Sequence, residues 1–557
     1  MTTRPLLPLS RRDILAQLGA GAGALLVGTP DVRESTHAEP AMARGTVFDD
    51  TVGDGVRRAD RRALSGIMVS NGRDVTLTDA SGAWALPVRP GDSVFVIKPA
   101  DWSIVPRAGS AHGHYLYHPY GTTPRAGLST PHVLPTGTLP HSIDFALRRT
   151  PEPRAFEALL VADTQAANMR ELSFVRAELL HCLGETRAQF AIHHGDVMGD
   201  DLSLLPDHLA LTAETGMPWY HCPGNHDMNL DSSTPAYAFE AWKQAMGCTH
   251  SAFQYAGATF FLLNNVEYFG RGGAAADGRG YRGFIGQDQI DFIANVLRHV
   301  PQDQLIVVSM HIPLVSFESP NSISDTTADR RALLRLLSGR PNTVSFSGHS
   351  HTTEHHYLGR ADGFDRDTPH HHHVLTAACG SWWSGVPDAR GVPISDSRDG
   401  TPKGIHVLSV DGNRYTTRLV TSPCAGASPL RAMIAKLPAQ SAVTERLEDH
   451  LVVDVFDGGP RTRVSCHSPE FGERPMAMDR IAIADPHIVE SFARHKALSK
   501  PWVAPAPSSH IWTLPLPAAF DGRTLDVTVQ VKSEFGETYE IRQVLARRMP
   551  AGEHLRI

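Results

Sequence analysis

The stretch "LLVADTQ" at residues 159–165 places an apolar run directly before polar residues. Strands inside an α/β sheet are covered on both faces, so they read as continuous apolar runs. The stretch therefore predicts a buried strand that delivers Asp163 and Gln165 to the edge of a sheet, where the functional groups of such sheets gather. An aspartate at this position suits a metal ion. A glutamine two residues later is an unusual partner for it.

Apolar runs of this kind alternate with helical patterns from about residue 154 to residue 422. Helix-period stretches occur there, as in "GQDQIDFIANVLRHV" at residues 286–300, where Ile290, Ile293 and Leu297 share one face. Between the helical stretches, short apolar runs predict buried strands at residues 156–163, 188–194, 218–222, 259–264, 305–310 and 342–347. The alternation of strands and helices predicts a layered α/β domain.

Two flanking segments have the sequence pattern of short β-strands joined by turns. Residues 63–98 contain short apolar runs broken by turn residues at 71–72, 81–82 and 90–92, and residues 99–150 are expected to extend them irregularly. After residue 430, "TLDVTVQV" at 524–531 alternates apolar and polar side chains, and a turn at 535–536 predicts a hairpin. The predicted fold class is α/β, with a central β-sandwich layered with helices and flanked by two small all-β domains.

The bulk composition agrees with several globular domains. A chain of 557 residues is too long for one core, which indicates about three domains. A formal net charge of -7 gives no reason to expect a nucleic-acid partner. The six cysteines form no C-x-x-C pair, so a zinc ribbon or a thioredoxin-like motif is excluded. Disulfides and buried free thiols both remain open.

The N-terminus resembles an export signal. "SRRDILAQLGAGAGALLVG" at residues 10–28 places Arg11 and Arg12 before a Gly/Ala-rich apolar stretch, the pattern of a twin-arginine signal peptide over residues 1–43. Small residues for cleavage occur at 41–43, and a competing site ends at Ala38. No later segment reaches the roughly 20 apolar residues of a membrane span. We therefore expect a soluble protein in the periplasm or outside the cell.

Five predicted strand ends carry side chains that bind metals. A single histidine at such a position is more often a satisfied core residue, but the set combines oxygen and nitrogen donors without a thiolate. Such a set suits divalent Mn, Fe or Zn and excludes an iron–sulfur site. The residues are Asp163 with Gln165, Asp196, Asn225 with His226 and Asp227, His311, and His349 with His351.

In chain order these residues form the motifs Asp-x-Gln, Gly-Asp, Gly-Asn-His-Asp, Met-His-x-Pro and Gly-His-x-His, an order that resembles the calcineurin-like metallophosphoesterase superfamily. "GSWWSG" at 380–385 and "DGTPKG" at 399–404 resemble its bacterial branch with a transthyretin-like N-terminal domain and a metallophosphoesterase C-terminal domain. The resemblance implies a transthyretin-like β-sandwich at 60–150, a catalytic domain at 153–422 and a C-terminal β-domain at 430–557.

The resemblance also implies a role for each site residue. Asp196 bridges two divalent metal ions, which lower the pKa of a bound water to give a hydroxide. His226 stabilises or protonates the leaving group, and Asp227 orients its ring. Glycines 195, 224 and 348 let the backbone turn tightly at the rim. The first ion's other ligands are Asp163, Gln165 and His351, and the second ion's are Asn225, His311 and His349.

Gln165 departs from the usual pattern, which has a histidine at this position. Its carboxamide oxygen is a harder and weaker donor than imidazole, and some branches of the family resemble this chain in the substitution. We therefore expect two ions of Mn or Fe, with Zn or Mg as alternatives.

Other candidate residues have simpler interpretations. The tract at 370–373 is expected to be a solvated loop, with contact to the site as the alternative, and His355 and His356 to lie on a solvated strand edge. His193 and His194 are expected to support the ligands, with one of the two pointing usefully. Of the tryptophans at 382–383, one is expected to pack and the other to pack or to line a pocket. "TTEHH" is not the H-E-x-x-H of zinc proteases, which excludes that class.

The predicted function is an exported phosphoesterase that hydrolyses phosphoric mono- or diesters of small molecules or of the cell envelope. The alternative is a catalytically inactive surface or binding protein built on a phosphoesterase scaffold. The complete ligand set favours the enzyme, because a site that has lost its activity usually lacks a ligand or the His-Asp pair.

Overall fold

The structure is a computed structural model that describes residues 41–106, 113–123, 126–129, 133–423, 426, 428–438, 447–517, 520 and 524–546. The expected signal peptide lies outside the described residues, except that residues 41–43 begin the first strand. Among the residues that are described, no helix is long and apolar enough to span a membrane.

An N-terminal β-sandwich precedes the central domain. Its strands are β1 (Ala41–Asp49), β2 (Met68–Ser70), β3 (Val75–Leu77), β4 (Ala83–Val88), β5 (Ser93–Val96), β6 (Trp102–Ile104), β7 (His114–Leu116) and β8 (Phe145–Arg149). They form two four-stranded sheets, in the orders β4-β1-β8-β6 and β3-β2-β5-β7. Val47 and Val88 of the first sheet share one core with Val69 and Val96 of the second. The predicted turns fall between β2, β3, β4 and β5 and are confirmed.

Strand β1 belongs to this sandwich although it precedes residue 60, where the domain was expected to start. Its sequence, "AMARGTVFD", has no continuous apolar run, so its strand character comes from its neighbours. β1 pairs antiparallel with β4 and parallel with β8. Gly45 is required for this, because a Cβ atom there would lie 1.8 Å from the carbonyl oxygen of Ile143.

The central domain consists of two large mixed sheets with helices on both outer faces, and a two-stranded sheet. Its strands are β9 (Ala155–Val161), β10 (Ala188–His194), β11 (Trp219–Cys222), β12 (Ser251–Tyr255), β13 (Ala258–Leu262), β14 (Val266–Tyr268), β15 (Tyr281–Gly283), β16 (Leu305–Ser309), β17 (Thr343–Ser347), β18 (Glu354–Leu358), β19 (His370–Val374), β20 (Gly404–Asp411) and β21 (Arg414–Thr421). Its helices are α1 (Met169–Gly184), α2 (Leu205–Ala213), α3 (Glu240–Met246), α4 (Gln287–Leu297) and α5 (Arg330–Leu337). All six predicted buried strands and the predicted helix are confirmed.

The two large sheets have the orders β11-β10-β9-β20-β21 and β12-β13-β16-β17-β19-β18, and β14 pairs with β15 in the two-stranded sheet. Alternation along β9 explains why the apolar run is continuous. Leu159 and Val161 pack in the core that includes α1, while Ala158 and Leu160 pack in the core between the two sheets. Helices α4 and α5 cover the outer face of the six-stranded sheet. Parallel pairing of β9 with β10 and β11, and of β13 with β16, β17 and β19, brings their carboxyl ends to common edges.

The C-terminal domain is a second β-sandwich. Its elements are β22 (Leu430–Pro438), β23 (Leu447–Val455), β24 (Arg463–His467), β25 (Met476–Ala477), β26 (Asp479–Ala484), α6 (Pro486–Arg494), β27 (Pro507–Pro515), β28 (Thr524–Lys532) and β29 (Thr538–Ala546). The sheets have the orders β22-β23-β27-β26 and β25-β24-β28-β29. The predicted hairpin is β28–β29, and Leu525, Val527 and Val529 are buried as expected. Short 3₁₀ helices elsewhere span Leu202–Leu204, Pro235–Tyr237, Arg360–Asp362, Pro469–Phe471 and Lys496–Leu498.

The histidine tract at 370–373 is not a solvated loop, so that expectation was wrong. It forms most of β19, between β17 and β18, and all four side chains are buried. His355 on β18 is also buried, whereas His356 is partly exposed. The neighbouring sheet and the C-terminal domain cover these residues. Their burial therefore depends on distant parts of the chain, and the local sequence does not predict it.

The cysteines at 182, 222, 248, 379 and 466 are free thiols, and Cys248 alone among these five is partly exposed. They behave as small apolar side chains. Cys424 lies outside the described residues.

Candidate metal centre

The predicted ligands occupy loops that directly follow five strands. Asp163 follows β9, Asp196 follows β10, Asn225 follows β11, His311 follows β16, and His349 follows β17. The first three strands belong to one sheet and the last two to the other. The loops therefore meet at one edge of the sandwich, and the structure brings all the predicted ligands together there.

The donors assigned to the second ion contact one another. The Nε2 atom of His311 lies 3.2 Å from Oδ1 of Asp196, 3.0 Å from Oδ1 of Asn225 and 3.1 Å from Nδ1 of His349. Atoms of Asp196, His311 and His349 lie within 4.8 Å of one another, close enough to share one ion.

The donors assigned to the first ion lie on the other side of Asp196. The Nε2 atom of His351 is 3.7 Å from Oδ1 of Asp163. The Gln165 amide donates from Nε2 to Oδ2 of Asp196 at 2.8 Å, so its nitrogen faces that carboxylate. Its oxygen lies 3.9 Å from the Cys379 thiol. Ligation through the oxygen requires the amide to turn over, and the role of Gln165 as a ligand stays a prediction.

Hydrogen bonds select the nitrogen that each histidine offers to a metal. Nδ1–H of His311 donates to the carbonyl oxygen of His194 at 2.8 Å, and Nδ1–H of His351 donates to that of Gly380 at 2.5 Å. The Nε2 atom of His349 faces Asp325 at 3.2 Å. Partners of this kind fix the tautomer and orientation of metal-binding histidines. Asp325 was missed by sequence reasoning, because it follows no strand and belongs to no motif.

The two histidines before Asp196 support the site indirectly. His194 supplies its backbone oxygen to His311, and its ring bonds to Val161 and Ser309. The His193 ring contacts Oγ1 of Thr164 at 2.9 Å, between the two ligands of the first loop. Both residues therefore support the ligand loops, on opposite faces of β10, whereas only one of them was expected to do so.

Five of the ligand residues have a left-handed backbone. The φ angles are 52° at Asp163, 38° at Gln165, 53° at Asp196, 81° at His349 and 54° at His351. Each such conformation of a residue other than glycine costs about 1–3 kcal/mol and persists where the surrounding structure imposes it. The loops therefore hold strain that aims these side chains at a common point.

The three glycines at the rim act in two ways. Gly195 has a φ of 84° and makes the tight turn that was expected. Gly224 and Gly348 instead permit close approach, which corrects the expectation for them. A Cβ atom at Gly224 would lie 2.2 Å from Oδ1 of Asp196, and one at Gly348 would lie 2.3 Å from Oδ2 of Asp163.

The partner of His226 differs from the one predicted. Nδ1 of His226 lies 2.7 Å from Oδ1 of Asp200, so Asp200 orients the ring. Asp227 is buried and accepts backbone N–H bonds from Val197, Met198 and Gly224. The role assigned to Asp227 was therefore wrong: it ties the loops after β10 and β11 together. Asp200 was missed because it lies past the Gly-Asp motif in the same loop.

The electrostatics of the site fit divalent cations. Burial raises the pKa of Asp163 to about 7. Burial lowers the pKa of His311, but the charge of Asp196 raises it to about 9. Within the described part of the chain, Asp163 and Asp196 pair with histidines and with no lysine or arginine, so divalent ions can replace the protons that His311 and Asp163 hold without them. Burial lowers the pKa of His351 to about 3, which keeps its ring in the neutral form that binds metals.

Two family models match the chain. Residues 158–353 match the model described as calcineurin-like phosphoesterase. Residues 372–539 match the model described as the C terminal of calcineurin-like phosphoesterase. The chain contains a calcineurin-like phosphoesterase domain and its C-terminal domain. These matches confirm the predicted enzyme class at the level of a metal-dependent phosphoester hydrolase.

No curated protein matches the chain. Similar solved structures include a dimetal phosphatase from Danio rerio, with 14% identity, a TM-score of 0.34 and coverage of 47% of this chain and 95% of that one. A purple acid phosphatase from yellow lupin (Lupinus luteus) has 13% identity, a TM-score of 0.35 and coverage of 68% and 71%. A phosphatase from Mycoplasma pneumoniae has 12% identity, a TM-score of 0.27 and coverage of 48% and 95%.

A pocket of about 250 Å³ opens beside the centre of the phosphoesterase domain. Arg279 and Arg398 line it, paired with Asp325 and Glu318. Neither arginine was predicted, because both lie in irregular loops. Trp382 also lines the pocket and stacks on the ring of His351, with centroids 4.0 Å apart.

The neighbouring Trp383 packs instead, which resolves the open choice between the two tryptophans. It is buried against Phe174 and donates Nε1–H to the carbonyl oxygen of Thr164 at 2.9 Å. The indole therefore fixes the backbone between the two ligands of the first loop.

Proposed function

We propose that this phosphoesterase is exported and hydrolyses phosphoric mono- or diesters of small molecules or of the cell envelope. The observation that carries the proposal is the position of Asp196. Its Oδ1 faces the donors of the second ion, its Oδ2 faces Gln165, and both sets border one pocket. Two divalent ions held there, Mn or Fe by preference, would neutralise charge on the phosphoryl group and lower the pKa of a water.

His226 has the geometry of a group that acts on the leaving oxygen. Its Nδ1 is held by Asp200, and its Nε2 lies 4.0 Å from Oδ2 of Asp196, on the pocket side. Burial lowers the pKa of His226, but the charge of Asp196 and the bond to Asp200 raise it to about 9. The bond to Asp200 favours the protonated ring, which is the form that can donate a proton to a departing alkoxide.

The two arginines give the pocket its preference for anionic substrates. The Arg279 side chain is 49% exposed and that of Arg398 is 22% exposed, so both retain donors that a ligand can reach. A guanidinium matches two phosphoryl oxygens at once. The volume of about 250 Å³ suits one phosphoryl group with a small substituent, or the end of a larger molecule.

Hydrolysis by the metal-reconstituted protein tests the reaction. We expect turnover of an aryl phosphate or a bis-aryl phosphate, and the ratio of the two rates assigns the ester class. The competing function is an inactive binding protein on the same scaffold. Failure to turn over either ester while two ions are bound at the centre would favour that function.

Export is the second element of the proposal and has its own test. We expect Arg11→Lys combined with Arg12→Lys to retain the precursor in the cytoplasm, and export of the double variant at the normal level would contradict the twin-arginine assignment. The pairing of residues 41–43 with Val88, Pro87 and Leu86 favours cleavage after Ala38, because cleavage after Ala43 would remove paired residues of β1. N-terminal sequencing of the mature protein distinguishes the two sites.

A further inference from the structure

A second group of buried histidines lies where the phosphoesterase domain contacts its C-terminal domain. His355 on β18, His373 on β19 and His406 on β20 point at one carboxylate, that of Asp457 just after β23. Ligand atoms of His355, His373 and Asp457 also lie within 4.8 Å of one another. Their Nε2 atoms lie 3.0, 3.2 and 3.3 Å from the same oxygen, Oδ1. The three rings are fully buried, and none of the four residues lines the pocket of the active centre.

Hydrogen bonds alone do not satisfy this group. One carboxylate oxygen offers about two lone pairs, yet three ring nitrogens converge on it. Nε2 of His373 and Nδ1 of His406 are buried and have no hydrogen-bond partner. Buried polar atoms are almost always paired, so the unpaired Nε2 of His373, which faces the Asp457 carboxylate, indicates a missing ligand.

The outer nitrogens of His355 and His373 have the partners that metal-binding histidines use. Nδ1 of His355 lies 2.9 Å from Nε2 of His371, and Nδ1 of His371 lies 2.8 Å from the Tyr415 hydroxyl. Nδ1 of His373 lies 3.5 Å from Oγ1 of Thr417. When Nδ1–H donates outward along these contacts, Nε2 is left unprotonated and free to bind a cation.

The loop that carries Asp457 is shaped for this contact. A Cβ atom at Gly459 would lie 2.7 Å from Cβ of His355, and one at Gly458 would lie 2.8 Å from the Trp512 ring. Both glycines therefore let the loop lie directly against the phosphoesterase domain. The Asp457 side chain is 20% exposed, which leaves an entry path from solvent.

We propose that His355, His373, His406 and Asp457 form a third metal site, which binds Zn²⁺ and joins the two domains. Three neutral imidazoles and one carboxylate are ligands that zinc accepts in a tetrahedral arrangement. Bonds of about 2.0–2.1 Å place tetrahedral donors about 3.3 Å apart, and the nitrogen–oxygen distances here are 3.0–3.3 Å. Because the protein supplies all four ligands, the ion has a structural role.

Metal analysis of the full-length mature protein tests the site. After saturation with Zn²⁺ and removal of free metal, we expect three equivalents in the unmodified chain and two in Asp457→Asn, with turnover of an aryl phosphate retained. Asp479→Asn, a change of the same kind at an exposed position of β26, serves as the matched control and keeps three. Two equivalents in the unmodified chain, or no loss in Asp457→Asn, would overturn the proposal.

A reciprocal measurement covers the case in which Asp457→Asn fails to fold. In Asp196→Asn, which disables the active centre, we expect one Zn²⁺ to remain. X-ray absorption of that ion should show three imidazole ligands at about 2.0–2.1 Å. A protein without bound zinc, or an ion with fewer than three imidazoles, would contradict a His₃Asp site.

Discussion

Two clusters of histidine and aspartate occupy different kinds of backbone in this chain. At the active centre the donors sit on loops after strand ends, and residues such as Asp196 and His349 have left-handed φ angles. At the domain contact, His355 and His373 sit in the regular pleat of β18 and β19. Loops at strand ends converge from both sheets and leave a pocket for substrate. In the strand interiors of β18 and β19, the histidines meet a carboxylate only because the C-terminal domain packs over them. That packing leaves no pocket for a substrate.

The largest effect is expected from removing the carboxylate that we assign to both ions. Asp196→Asn should eliminate nearly all hydrolysis, a loss larger than the roughly 10²–10³-fold caused by deleting one stabilising donor. The C-terminal domain should stay folded, because Asp457 and its histidines do not contact Asp196. Kinetics and circular dichroism of the purified variant check both points. Full activity with two ions at the centre would remove Asp196 from the bridging role.

The leaving-group function of His226 predicts the next largest effect. His226→Ala should slow esters of poor leaving groups by about 10²–10⁴-fold, the usual contribution of general acid catalysis, and affect activated aryl esters far less. The measurement is the dependence of kcat/KM on the pKa of the leaving group. Equal losses on both kinds of ester would indicate that the ring only binds the phosphoryl group.

Two neighbouring aspartates provide controls for this experiment. Asp200→Asn should show the same leaving-group dependence with a smaller loss, about 10–100-fold, because it removes the partner that orients the ring. Asp227→Asn should weaken metal binding without that dependence, because its carboxylate holds the backbone of Val197, Met198 and Gly224. A leaving-group dependence in Asp227→Asn would restore the role first assigned to it.

The comparison also shows why the sequence predicted one cluster and not the other. Asp163 directly follows an apolar run, and Asp196 lies just past the predicted strand 188–194, so strand prediction alone places both at a sheet edge. The tract at 370–373 has no apolar residue to reveal its burial, which comes from contacts with β17, β18 and the C-terminal domain. Asp200 and Asp325 were missed for a related reason: their partners are fixed by loop conformation, which the periodicity of a sequence does not encode.

A pair of glycines tests whether close backbone approach matters equally in both regions. Gly224→Ala places a Cβ atom against Asp196, and we expect an activity loss of roughly 10²-fold, the typical consequence of a displacement of about 1 Å. Gly459→Ala should lower the melting temperature and leave the active centre intact, because its Cβ meets His355. Turnover and thermal unfolding of both variants show whether each glycine is needed for activity or for stability. Loss of activity in Gly459→Ala at full occupancy of the centre would show that the two clusters are coupled.

The smallest effect is expected at Gln165, where the structure and the predicted ligation differ in the orientation of one amide. With Nε2 on Asp196 the side chain satisfies a buried carboxylate, and a cation at the first position would favour the oxygen instead. Gln165→Leu should therefore lower the affinity for the first ion by about 10–100-fold and leave the second ion at least partly bound. Gln165→His should keep both positions filled and shift the preference towards Zn, which accepts imidazole readily.

Metal titration of the two variants distinguishes a ligand from a partner of Asp196. Unchanged affinity for two ions in the leucine variant would mean that Gln165 is not a ligand.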